Sequence, residues 1–121
     1  MRFNEHIEFT IGPQGTEPYK GSNHAAGYDI HAAEDARINP HLTIVVTTDL
    51  KVLLPYGSFA KLETWSSMAI KGLQVQGGII DWDYCGELKV MIHNLTDYPY
   101  YINAGDRITQ MILHQVGHPS I

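Results

Sequence analysis

At 121 residues the chain has room for one modest core and too little for two, so a single domain over 1–121 is expected. Hydrophobic residues at 44% with 17% charged residues exclude an intrinsically disordered chain. A formal charge of −5 speaks against a nonspecific duplex-DNA binder, which needs a basic face. It leaves room for a nucleotide, whose phosphates a few local cations or a bound metal can meet. The lone cysteine, Cys85, allows no intrachain disulfide and suits a reducing compartment. No stretch is long and apolar enough for a membrane span, and Met1-Arg2-Phe3-Asn4-Glu5-His6 does not read as a signal peptide. The expectation is an intracellular protein of the cytoplasm or nucleus. Asn94-Leu95-Thr96 matches a glycosylation sequon and is read as coincidence.

Along the chain, strand signals recur between Gly, Pro, Asn and Asp breaks. Strands are expected at 3–11, 25–33, 42–54, 57–63, 73–80, 87–94, 98–103 and 107–116. Segment 12–24, with Gly12, Pro13, Gly15, Pro18 and Gly21, reads as a loop. The one short helix is Ser66-Ser67-Met68-Ala69-Ile70-Lys71, capped by Ser66 or Ser67 and stopped by Gly72. Short strands with one helical turn point to an all-β jelly roll or closed β-barrel.

Four segments carry chemistry. In Ala26-Gly27-Tyr28-Asp29-Ile30 a carboxylate sits inside an apolar strand, where an unpaired charge is costly. Asp29 is either a strand-edge acid facing water or a carboxylate held near a cation or a metal-bound water. In Trp65-Ser66-Ser67-Met68-Ala69 two hydroxyls open a helix, as plain caps or as an anion site. In Gly78-Ile79-Ile80-Asp81-Trp82-Asp83-Tyr84-Cys85-Gly86 an apolar strand ends by offering two acids and a ring. Residues i and i+2 share a face of a strand, so this is an ordinary turn or the wall of a pocket with a general base. In Gly105-Asp106-Arg107-Ile108-Thr109-Gln110, Asp106 and Arg107 form a turn and a surface pair, or Arg107 and Gln110 meet a ligand or a second subunit. His114 and His118 stand four apart, but Pro119 disfavours the helix that a metal-ligand pair needs. Tyr98, Tyr100 and Tyr101 around Pro99 read as packing or subunit contacts.

In order and spacing these four segments resemble the motifs of the trimeric dUTP diphosphatase family, over about Gly27 to Gln115. Ser66-Ser67 and Val75-Gln76-Gly77-Gly78 lean toward its viral members. The resemblance implies a homotrimeric jelly-roll β-barrel that hydrolyses dUTP to dUMP and pyrophosphate, with Mg²⁺ held through the triphosphate and no metal ligand from the protein. Asp81 matches the general base, and Tyr84 the ring under the deoxyribose. Leu73 to Ile79, including Gly78, matches the uracil-reading hairpin. Ser66, Ser67 and Gln110 match phosphate-contacting positions; Asp29, Trp65, Asp83 and Arg107 belong to the supporting polar network. Two departures stand out: Trp65 occupies a cation's place, and the chain ends at His118-Pro119-Ser120-Ile121 where the family has a Gly-rich motif with an Arg. They imply weak turnover and keep open a second class, a dUTPase fold retained as an inactive module for an unknown protein partner. The related dCTP deaminases need a glutamate where this chain has Met91.

Overall fold

The computed structural model describes residues 7–20 and 27–115. The expected strand residues 3–6, 25–26 and 116, the loop residues 21–24, Ala26 of the first motif, His118 and the C-terminal residues lie outside them. The elements in order are β1 (Glu8–Ile11), β2 (Tyr28–His31), β3 (Ala36–Ile38), β4 (Thr43–Leu53), β5 (Ser58–Glu63), α1 (Ser66–Ile70), β6 (Leu73–Gln76), β7 (Ile79–Asp81), β8 (Glu87–Asn94), β9 (Tyr100–Ile102) and β10 (Arg107–Gln115).

Two four-stranded antiparallel sheets, ordered β1-β4-β8-β6 and β2-β10-β5-β7, share one core, and β3-β9 forms a small ribbon. The period of two dictates which side chains enter that core. Val46, Leu50 and Val52 of β4, Leu88, Val90 and Ile92 of β8, and Ala60 and Leu62 of β5 are buried, and their sequence neighbours face outward. The result is the jelly-roll-like β fold with one short helix that the sequence predicts.

Three local expectations are corrected. The single strand expected over 73–80 is two strands in different sheets: β6 pairs with β8 and β7 with β5. Gly77 (φ 69°) and Gly78 (φ 87°) make the break, in a backbone region that is costly for any residue with a Cβ. β3 was not expected, because three residues are too few to display a period. Neither serine caps α1. Trp65 occupies the N-cap, its carbonyl accepts from the Met68 and Ala69 N–H groups, and no side chain caps the helix. Gly72 does end it, at φ 80°, with its N–H donating to the Ala69 carbonyl.

Asn94 closes one end of the core. It is fully buried, and its amide nitrogen donates to the carbonyls of Ile38 (2.9 Å) and Tyr98 (2.7 Å). Its Oδ1 accepts from the N–H (2.9 Å) and hydroxyl (2.7 Å) of Thr96. An amide so enclosed is no glycan acceptor in the folded chain, which agrees with reading the sequon as coincidence. Asn94→Ala strands several buried polar groups at once and is expected to cost roughly 2–4 kcal/mol. A fall in the urea midpoint at constant m-value would measure it; an unchanged midpoint would mean that these bonds contribute no net stability.

Candidate active site

The sequence-predicted residues form two groups. The first is built by β7 and the turn after it. Asp81 is the last residue of β7, and the Tyr84 N–H donates to its carbonyl at 3.0 Å, which closes the turn. The Tyr84 hydroxyl donates to the Glu87 carbonyl at 2.8 Å. A Cβ at Gly86 would lie 2.5 Å from that hydroxyl, so glycine makes room for the ring. The ring is thereby fixed in place while half-exposed, an orientation set before any ligand arrives.

Asp81, Asp83 and Tyr84 line a cleft of about 730 Å³ together with Gly78, Ile79 and Met91. This volume suits a small organic ligand. Trp82 turns the other way, edge-on to Tyr56 with centroids 4.7 Å apart. Asp83 reaches the cleft from the turn and not by strand alternation, since β7 ends at Asp81. The cleft wall at Gly77 and Gly78 depends on missing side chains. A Cβ at Gly77 would sit 2.7 Å from the Met91 methyl, and one at Gly78 would sit 3.0 Å from the Leu62 carbonyl. The Gly78 carbonyl accepts from the Leu62 N–H at 2.7 Å, which fastens the hairpin to β5.

The second group lies on the outer face of the same sheet, farther along β5 and toward β2. Asp29 of β2 stands opposite Gln110 of β10, which stands opposite Glu63 of β5. Asp29 is mostly buried and has a cationic partner: Arg107 Nη1 lies 3.5 Å from its Oδ2. The Arg107 guanidinium also lies 4.2 Å from the Trp65 ring centroid. Of the two readings of Asp29, the carboxylate held near a cation is the one the fold shows. Nor do Asp106 and Arg107 pair with each other; the Asp106 carboxylate accepts from the Asn103 N–H instead. Gly27 lets β2 begin close against β10, since a Cβ there would meet the Met111 carbonyl at 2.5 Å. Ser66 and Ser67, which follow Trp65, are exposed.

The two groups are apart within one protomer. Asp81 stands opposite Phe59, and Gln110 opposite Glu63. Four residues along β5 and two strand spacings across the sheet separate them by roughly 16 Å at 3.3 Å per residue and 4.8 Å per strand. The sequence reading missed Lys89 and Met91 as cleft residues, although both lie on the outward phase of β8. It also missed the stacking of Arg107 on Trp65, for which no local pattern exists. His114 stacks on Phe59 at 5.0 Å, and Tyr101 carries the Arg37 guanidinium at 5.6 Å. Among the described residues no group of three or more His, Cys, Asp or Glu side chains is placed to hold a metal ion.

The dUTPase family model matches residues 14–121. The chain is 40% identical over 110 residues to the deoxyuridine triphosphate nucleotidohydrolase of Candida albicans, covering 90% of this chain and 69% of that protein. It is 41% identical over 107 residues to the same-named protein of Paramecium bursaria Chlorella virus 1, covering 88% of this chain and 76% of the relative. In fold it is similar to the native EIAV dUTPase, with a TM-score of 0.84 at 30% identity over 96% of this chain and 93% of the other. A family match over most of the chain, joined to these two relatives and this fold, places the chain in the dUTPase family.

Proposed function

We propose that the chain, read as one domain over 1–121, is a dUTP diphosphatase that converts dUTP to dUMP and pyrophosphate. The observation that carries this is one cleft lined both by an exposed strand-end carboxylate, Asp81, and by a ring already held by its own hydroxyl, Tyr84. Asp81 takes a proton from a water that attacks the α-phosphorus in line. The Tyr84 face packs on the deoxyribose and fills the space of a ribose 2′-hydroxyl. Backbone groups around Gly78 and Ile79 pair with the uracil edge, which the bare backbone at Gly77 and Gly78 permits. Asp83 shares the cleft wall and supports its polar lining.

Ser66, Ser67 and Gln110 take the phosphates, with Asp29, Trp65 and Arg107 as their support. Mg²⁺ enters as part of the substrate, bound to the triphosphate oxygens, and lowers the charge that the phosphates present. Such an ion usually keeps several waters and is held chiefly through substrate phosphates.

A homotrimer completes this arrangement. The base group and the phosphate group stand about 16 Å apart along one face of a protomer, so a single protomer does not close them around one nucleotide. A closed three-fold ring would set the Asp81 cleft of one copy against the Ser66–Gln110 face of the next. No helix among the described residues is long and apolar enough to cross a membrane, and the proposed setting is the cell interior, with no nucleic-acid partner. The alternative reading, an inactive module that binds a protein partner, draws on Trp65 standing where the family has a cation. It predicts dUMP binding without turnover.

Three results test these readings. Asp81→Asn keeps the shape but cannot take the proton, so dUTP hydrolysis should fall by about 10²–10⁴-fold while calorimetric dUMP affinity holds; undiminished turnover would remove Asp81 from the mechanism. Calorimetry with dUMP, UMP and dCMP should show dUMP binding tightest, and Tyr84→Ala should narrow the gap between dUMP and UMP. Equal affinities in the unmodified chain would mean that the cleft reads neither sugar nor base. Sedimentation at micromolar concentration should show a trimer, and a stable monomer would leave the site incomplete.

A further inference from the structure

We propose that Met91 is a reversible oxidation site and that its sulfoxide weakens nucleotide binding in the cleft. The switch acts on the proposed dUTP site and rests on that reading. Among the described methionines, Met68 is 7% exposed and Met111 is fully buried, whereas Met91 is 41% exposed. An oxidant has to reach the sulfur, so exposure selects Met91. The exposure follows from the phase of β8. Leu88, Val90 and Ile92 enter the core, and Lys89 and Met91 face out. Met91 stands in the ladder between Val45 of β4 and Gln76 of β6, both exposed. This face belongs to the β1-β4-β8-β6 sheet and is distinct from the face that carries Asp29 and Gln110.

Met91 touches the turn on which the cleft depends. Gly77 stands one residue past Gln76, the ladder partner of Met91. A Cβ at Gly77 would lie 2.7 Å from the Met91 methyl, so that methyl covers the bare backbone where the chain changes sheets. A long unbranched thioether makes this diagonal reach. The same side chain lines the cleft, beside the apolar and buried Leu62, Ile80 and Leu88. One sulfur therefore serves both the turn and the space that a ligand fills.

Oxidation changes both contacts. With hydrogen peroxide as oxidant, a sulfur lone pair attacks one peroxide oxygen and the O–O bond breaks. The sulfur keeps that oxygen and is oxidised by two electrons. The second oxygen leaves as hydroxide and takes the proton of the first, giving water. A dithiol reductase reverses the step: the sulfoxide oxygen departs as water while two thiols become a disulfide. The added oxygen is bonded to the atom that carries the methyl at Gly77. A sulfoxide is polar and chiral where the thioether was apolar and flexible. Held against Gly77 and the apolar lining, its oxygen loses water without gaining a partner, which is costly. Met91 withdraws from the turn or displaces it, and either movement alters the Gly78–Ile79 edge that is proposed to meet uracil.

Cys85 lines the same cleft and also reacts with peroxide, so the test uses Cys85→Ser protein. It is treated with hydrogen peroxide, peptide mass spectrometry locates the added oxygen, and calorimetry measures dUMP affinity against the untreated sample. Met91 should gain its oxygen before Met68 and Met111. Affinity for dUMP should then fall by about 10-fold, the scale of one unmatched polar group beside a ligand. A methionine sulfoxide reductase should restore it. Saturating dUMP should slow oxidation at Met91, a readout that needs no turnover. Met91→Leu in the same background conserves volume and has no sulfur; its own affinity should survive the peroxide treatment. Undiminished affinity after oxidation of Met91 overturns the inference and leaves the dUTP site standing. An equal loss in Met91→Leu places the damage elsewhere and also overturns it, as does oxidation of Met68 or Met111 ahead of Met91. Loss of the melting transition in the oxidised protein assigns Met91 to stability alone and overturns it too. Absence of dUMP binding by the untreated chain overturns the site and the inference together.

Discussion

Everything at the cleft depends on two consecutive residues with positive φ. Gly77 and Gly78 lift the chain out of the β4-β8 sheet and deliver it to β5 in the opposite sheet. A Cβ at either position would meet the Met91 methyl or the Leu62 backbone as well as disfavour the conformation. The consequence reaches the chemistry directly. The sheet change sets the phase in which Ile80 enters the core and Ile79 and Asp81 face out. A regular continuation of β6 would have kept this acid on the other sheet. One short bend therefore joins the two layers, opens the cleft wall and aims the proposed base.

A second irregularity does the same for the second group of side chains. The bulge at Ile108 and Thr109 turns Arg107 to the face of Asp29 and Gln110. Trp65, Arg107 and Asp29 then form a continuous contact from the helix entry to β2. A tryptophan in a family position held by a cation first reads as a loss. In the folded chain the Trp65 ring carries the Arg107 guanidinium from β10. Such a contact is available because Arg stacks as well as pairs, which Lys does less well.

Both irregularities work because the surrounding framework is rigid. Alternating apolar residues of β4, β5 and β8 interlock into one core, and Asn94 satisfies its buried amide completely at one edge of it. Half-exposed Tyr84 borrows the same rigidity through the Glu87 carbonyl at the start of β8. A site made of strand ends and tight turns holds its geometry better than one made of long loops.

By itself the sequence determined the class of fold, because period-two burial on 43–53, 58–63 and 87–94 is a local property that survives without knowledge of partners. It also brought the acids and the ring of the cleft together, since Asp81, Asp83, Tyr84 and Gly86 lie within six residues; that Asp83 reaches the cleft from a turn, after the strand ends at Asp81, was left to the fold. The motif order identified the family for the same reason: each motif is a short contiguous string. Tertiary structure decided the rest. The division of 73–80 between two sheets depends on which strands compete for its hydrogen bonds. The Trp65 N-cap depends on where α1 begins, one residue before the serines that favour caps in general. The pairing of Arg107 with Trp65 and Asp29 joins three residues far apart in the chain. It hinges on a bulge that breaks the periodicity by which strands are read, and only the folded register reveals it.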